Sequence, residues 1–267
     1  MGNEIVKYNN VMNTLQFKNF TAMDYNFLMA LCSRMRDRGT EEVLFDFSEI
    51  KRLANYSSKN DTQRFIGDLT RMNKKLMNVM CSFEVGDEFH MFVLFPTFVI
   101  NKSAKTLKVK VNEEYTFILN QLVGNFTRFD LIEFDNLKSK YSKVLYRLLK
   151  QFKSSGKYFV KFEDLRTLMG VPKSMSNKAV KRDILTPTLK ELGSYFGNLT
   201  MIIETDDTKR GKPFKNCIFT FDSVARKAAD DTEEIITDEF ELNDIPKIES
   251  VSIEQLMDDD LREMADN

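Results

Sequence analysis

The chain has 267 residues, 42% of them hydrophobic and 30% charged, with 23 Phe, no Trp and a formal net charge of -1. That length bounds it to one or two domains with ample apolar content for a core, and no run of about 18 apolar residues is present to span a membrane. Cys32, Cys81 and Cys217 are odd in number and far apart, and His90 is the sole histidine, so a disulfide framework, a zinc cluster and a nicking enzyme built on paired imidazoles are all excluded.

The near-zero net charge conceals a segregation. Residues 1–123 carry 16 Lys/Arg against 14 Asp/Glu, residues 124–227 carry 21 against 11, and residues 228–267 carry 2 against 15. Clustered cations are what phosphate neutralisation requires, so this is the outline of a nucleic-acid binder. The N-terminus, Met1-Gly2-Asn3-Glu4-Ile5, lacks the basic-then-apolar layout of a signal peptide, and a cytoplasmic protein with reduced thiols is expected. There is no G-x-x-x-x-G-K-[ST] loop for a nucleotide, and His90 sits in the alternating pattern Glu88-Phe89-His90-Met91-Phe92, which reads as a strand. No enzyme activity, cofactor or metal is expected.

In chain order, an apolar helical pattern runs from Thr21 to about Arg38, opened by a capping box at Thr21-Ala22-Met23-Asp24 and ended by Gly39. A strand at Val43–Phe47, a short helix at Ser48–Ala54 and a longer helix at Thr62–Met80 follow. A hairpin, Cys81–Val85 and Phe89–Phe95 around Gly86-Asp87, closes the unit. The order then recurs: a helix from about Asp135 to Lys153 ending at Ser154-Ser155-Gly156, a strand at Tyr158–Phe162, a short helix at Glu163–Met169, a helix at Ser176–Phe196, and strands near Leu199–Glu204 and Phe214–Phe221.

Two details mark a duplication. Phe47-Ser48-Glu49-Ile50-Lys51-Arg52-Leu53 and Phe162-Glu163-Asp164-Leu165-Arg166-Thr167-Leu168 share the pattern F-x-acid-aliphatic-base-x-Leu. The long helices carry apolar residues at the same intervals, Phe65, Leu69, Met72, Leu76 and Leu185, Leu189, Leu192, Phe196. Helix, strand, helix, turn, longer helix and hairpin is the order of a winged helix-turn-helix. The expected fold is therefore α+β: two tandem winged helix-turn-helix domains, residues 1–123 and 124–227, with an acidic and largely disordered tail at 228–267.

In such a fold the second helix enters the major groove while hairpins meet phosphates. The candidate contacts of the second domain are Lys178, Lys181, Arg182, Thr186 and Lys190 on the long helix, and Lys209, Arg210, Lys212 and Lys215 on the hairpin. On a uniform wheel Lys181 falls among the apolar positions, and Pro187 removes a helical N–H and should bend the helix or start a new one. Asp206 and Asp207 beside the basic tip have no role in this reading. In the first domain Gln63, Arg64, Arg71 and Lys74 lie opposite the apolar stripe, but the hairpin tip Glu84-Val85-Gly86-Asp87-Glu88 is acidic and would repel phosphate. An unequal division is expected, the second domain gripping hardest. In the tail, Ser252 with Gln255 forms a capping pattern, and Ile253, Leu256, Met257, Leu261 and Met264 share a helical face.

At Lys7-Tyr8-Asn9-Asn10, Asn19–Asp24, Arg34–Gly39 and Ile184-Leu185-Thr186-Pro187-Thr188-Leu189-Lys190-Glu191-Leu192, the chain resembles plasmid replication initiators of the Rep_3 (RepB/RepE-like) family, over about residues 5–221. The resemblance implies two winged-helix domains that bind direct repeats (iterons) in double-stranded origin DNA. It also implies a monomer that initiates replication with the host initiator and helicase machinery, and a homodimer, formed largely through the first domain, that represses its own gene. It implies DNA contacts for Lys178, Arg182, Lys212 and Lys215. A winged-helix transcriptional regulator without an origin role is the alternative.

Overall fold

The computed structural model describes residues 4–224, apart from 58–60, 78–79, 86–87, 121 and 123–124, together with residues 248–251. After strand β1 (Ile5–Asn9) and a 3-10 turn at Asn10–Asn13, helix α1 spans Ala22–Met35. Its capping box is present: Thr21 Oγ1 accepts from Asp24 N, and Asp24 Oδ2 accepts from Thr21 N at 2.7 Å. The helix stops before Gly39. Arg36 leaves helical geometry, and Asp37 takes the left-handed conformation at φ 57 while donating its N–H to Leu119 O. The terminator is thus a tertiary contact of the backbone, not the glycine.

Strand β2 (Val43–Asp46), helix α2 (Phe47–Leu53) and helix α3 (Thr62–Met77) complete the helix-turn-helix core of the first module. Phe65, Leu69, Met72 and Leu76 are buried, as their spacing requires. Next come β3 (Met80–Val85) and β4 (Glu88–Phe92), paired antiparallel, with His90 opposite Phe83. Two further strands, β5 (Thr97–Asn101) and β6 (Thr106–Lys110), form a second hairpin.

This second hairpin corrects the reading of the first module. Strand β2 pairs with β6, and β6 with β5, giving the order β2-β6-β5. The hairpin that folds back on the helix-turn-helix core is therefore 97–110. The acidic β3–β4 hairpin belongs to a different sheet, whose other member is β11 (Ile248–Val251) along the β3 edge. Of the acidic tail, only those four residues are described, and they form a strand; the expected amphipathic segment at 252–264 lies outside the described residues.

Past a 3-10 turn at Glu113–Ile118, strand β7 (Phe126–Asp130) leads into helix α4 (Leu131–Asn136) and helix α5 (Lys140–Gln151). The single helix expected at 135–153 is thus two, divided where Ser139 accepts from Tyr141 N as a new N-cap. After Gly156 come β8 (Lys157–Lys161), α6 (Phe162–Leu168), α7 (Asn177–Ala179), a π-helical turn over Val180–Leu185, α8 (Thr186–Leu192), β9 (Thr200–Thr205) and β10 (Phe214–Thr220). Gly156 is required at its position. It has φ +66, and a Cβ there would lie 2.5 Å from Phe221 O. The sheet order β8-β10-β9 reproduces β2-β6-β5, so the duplication extends through the wings.

The modules share one core. Strand β1, in the expected first domain, pairs along its whole length with β7, in the expected second. Helix α5 is buried on nearly every side, including Ser142, Lys143 and Arg147. Arg147 is 1% exposed; its guanidinium lies 5.1 Å from the Phe17 ring and 5.6 Å from the Tyr25 ring, and donates to Met12 O at 3.3 Å. Around it, Tyr8 Oη donates to Asn13 Oδ1, and Asn13 Nδ2 donates to both Thr127 Oγ1 and Gln151 Oε1. Desolvation drives the Tyr8 hydroxyl far above its ordinary range and pushes the Cys32 thiol up to about 12, so both stay neutral. Replacing Arg147 by Ala should remove the cation, its aromatic contacts and a large packed volume together. We expect a loss of about 2–5 kcal/mol in urea unfolding, with one cooperative transition retained.

Candidate nucleic-acid interface

Each long helix is held by the helix before it, through the basic residue of the duplicated motif. In the second module Arg166 donates to Met175 O at 2.9 Å, to Pro172 O at 3.2 Å and to Asn177 Oδ1. It thereby satisfies carbonyls of the turn that introduces α7. In the first module the corresponding Lys51 lies 4.9 Å over the Phe65 ring on α3. The N-termini are capped by side chains: Asp61 Oδ1 accepts from Arg64 N, and Ser176 Oγ accepts from Ala179 N.

Gln63, Arg64, Arg71 and Lys74 are all exposed on α3. Arg71 pairs with Asp68 at 2.8 Å, one turn away. In the second module Lys178, Lys181, Arg182, Thr186 and Lys190 are all exposed, but on three successive geometries. Pro187 has no N–H to donate, and the turn before it widens to π spacing. The Thr186 N–H and Oγ1 then both reach Lys181 O. The wider turn changes the phase of the side chains, which puts Lys181 in solvent where a uniform wheel had placed it inward. Arg182 is clamped by Asp183 through two bonds of 2.6 and 2.8 Å, and that pairing holds the Asp183 carboxyl below its usual range. Behind this surface Glu191 accepts from Lys138 N at 2.6 Å and from Ser142 Oγ, locking α8 onto the start of α5.

The second wing tip spans Asp206–Pro213, with Gly211 at φ 84 and Lys212 at φ 44. Its two aspartates now have roles. Asp206 accepts from Thr208 N and Oγ1, which closes the turn and lowers its carboxyl below the ordinary range; Lys209 approaches it at 3.4 Å. Asp207 accepts from Thr205 Oγ1 and pairs with Lys212 at 3.4 Å. Arg210 and Lys215 are exposed on either side.

The first wing adds residues that the sequence reading missed. Its tip, Asn101-Lys102-Ser103-Ala104-Lys105, is exposed and basic; Asn101 Oδ1 accepts from Ala104 N, and Lys105 turns the chain at φ 54. Alternation across Thr97–Asn101 and Thr106–Val111 was the available signal. The hairpin in the sheet of the first helix-turn-helix core is thus this basic one, and the acidic β3–β4 hairpin lies in another sheet. Among the described residues no group of acidic, histidine and cysteine side chains is arranged to hold a metal.

Two helix-turn-helix cores, each carrying an exposed polar helix face and a basic wing, define a DNA-binding protein of the tandem winged-helix class. The family model for the first winged-helix domain of initiator replication proteins matches residues 5–150, and that for the second matches residues 161–221. The chain belongs to the Rep_3 family of plasmid replication initiators. It is 37% identical over 223 residues to a probable replication protein of Bifidobacterium longum (strain NCC 2705), covering 83% of this chain and 73% of that one. Its fold is similar to that of the Pi initiator protein, solved in complex with iteron DNA, with a TM-score of 0.65 at 15% identity over 84% of this chain and 99% of that one.

Arg166 tests how the helices are held. Arg166→Ala would leave several turn carbonyls without their donor, and we expect a loss of about 1–3 kcal/mol in urea unfolding together with weaker DNA binding.

Proposed function

We propose that the protein binds direct repeats in double-stranded DNA at a plasmid origin and initiates replication by binding alone, without catalysing a reaction, in the bacterial cytoplasm. The observation that carries this reading is the repetition of one interface: each module presents an exposed long-helix face beside a basic wing, which suits a tandem contact along one duplex. Gln63, Arg64, Arg71 and Lys74 with Lys102 and Lys105 would meet one segment. Lys178, Lys181, Arg182, Thr186 and Lys190 with Lys209, Arg210, Lys212 and Lys215 would meet the next. Base edges would be read from the helices and phosphates held by the wings. The similarly folded Pi initiator protein was solved in complex with iteron DNA, which supports duplex DNA as the partner. A monomer at the repeats, a dimer at the protein's own promoter, and delivery of the host initiator and helicase machinery complete the proposal. No helix among the described residues is long and apolar enough to cross a membrane.

Gel shifts on the DNA flanking the gene test this directly. Several direct repeats of about one binding site each should give a ladder of complexes; a single complex on one inverted repeat would favour the regulator instead. Within the wing, Arg210 and Lys215 have no carboxylate partner among the described residues, which makes them the cations to test against phosphate. Arg210→Ala/Lys215→Ala should weaken binding to every sequence and reduce the slope of log affinity against log salt by about two. An unchanged slope would remove the wing from the interface. Removal of residues 228–267, which carry 15 acidic residues, should tighten binding to mixed-sequence DNA at low salt; unaltered affinity would dismiss a masking role for the tail.

A further inference from the structure

Helix α3 contains a glycine where a helix least favours one. Gly67 lies inside Thr62–Met77, and an added Cβ would meet nothing within 4 Å, so no packing among the described residues calls for it. Its φ is not in the left-handed region, so the backbone does not call for it either. Gly is among the most destabilising residues in a helix interior, and Ala would fit without contact.

Its place on the helix is distinctive. The buried residues Phe65, Leu69, Met72 and Leu76 define the core face, and at 3.6 residues per turn Gly67 falls opposite their centre. Gln63 and Lys74 lie to one side of it and Arg64 and Arg71 to the other, all exposed. The outermost point of the helix thus has no side chain and is flanked by four long polar ones. The bare crest is particular to α3: counted from the caps Asp61 and Ser176, the equivalent position of the second module holds the exposed Arg182.

We propose that Gly67 is a specificity-determining position: its bare backbone lets α3 settle against the base edges at the floor of the major groove, at a depth where Gln63, Arg64, Arg71 and Lys74 reach bases and phosphates on both sides. This rests on the DNA-binding reading above. A Cβ at this point would hold the helix away from the groove floor and lengthen every flanking contact at once.

The full-length Gly67→Ala variant tests it, because stability and binding should move in opposite directions. The melting temperature should rise by about 2–4 °C, as helix propensity dictates. Affinity for the repeat-bearing DNA beside the gene should fall at least tenfold in fluorescence anisotropy, while affinity for mixed-sequence DNA of the same length stays unchanged. A more stable variant that keeps wild-type preference for the repeats would overturn the inference. A lowered melting temperature would also overturn it, by exposing an internal role for the glycine. If wild-type protein itself shows no preference for the repeats, the DNA reading fails and this inference with it. That result is distinct from a variant that merely matches a specific wild type.

Discussion

One buried cation, the Arg147 guanidinium, organises the joint on which the relative placement of the two modules depends. It sits on α5 in the second module, yet the groups around it, Tyr8, Met12, Phe17 and Tyr25, all come from the N-terminal segment and α1. Burying a charge is costly unless it is solvated by the protein. Here a carbonyl, a phenol and two ring faces supply that solvation, with no carboxylate partner among the described residues. Pairing of β1 with β7 and the Asn13–Thr127–Gln151 bonds surround it, and the modules share one hydrophobic core.

From that joint outward each module repeats a single plan. A short helix supplies one basic residue that holds the long helix, Lys51 through an aromatic face and Arg166 through the carbonyls of a turn. The sheet order is the same in both, and the wings return to the strand that precedes the short helix. The copies differ where they would meet a ligand. The first has a regular helix with a glycine at its crest, and the second a π turn before a proline.

Local features were legible in the sequence because local physics determines them. The Thr21 capping box, the apolar intervals of α3 and the shared F-x-acid-aliphatic-base-x-Leu motif predict what the structure shows, whereas in the second module the helix ends at Leu192 and leaves Phe196 outside it. The first wing was not legible in the same way. The β3–β4 hairpin has a strong turn signal at Gly86-Asp87 and so stood out, whereas membership of a sheet depends on which distant strand pairs with which. Only the register of β6 against β2 identifies 97–110 as the wing. Arg147 was hidden for a different reason: an arginine on a helix is ordinarily a surface residue, and nothing in the intervals around it reports that a second module covers it. The π turn, likewise, follows from how Pro187 is accommodated and defeats any uniform helical wheel.

The carboxylates among the candidate cations have a thermodynamic consequence. Arg71, Arg182, Lys209 and Lys212 each rest on a neighbouring aspartate in the free protein. On the proposed reading, engaging DNA at these positions exchanges one anion for another rather than capturing a new one. The gain per contact is small when the phosphate is poorly placed and appreciable only when the geometry of the duplex improves on the aspartate's. Such internal competition suppresses adhesion to arbitrary DNA more than it weakens a well-fitted site. A chain with a basic module can thereby sample a genome's worth of phosphates without being held by most of them.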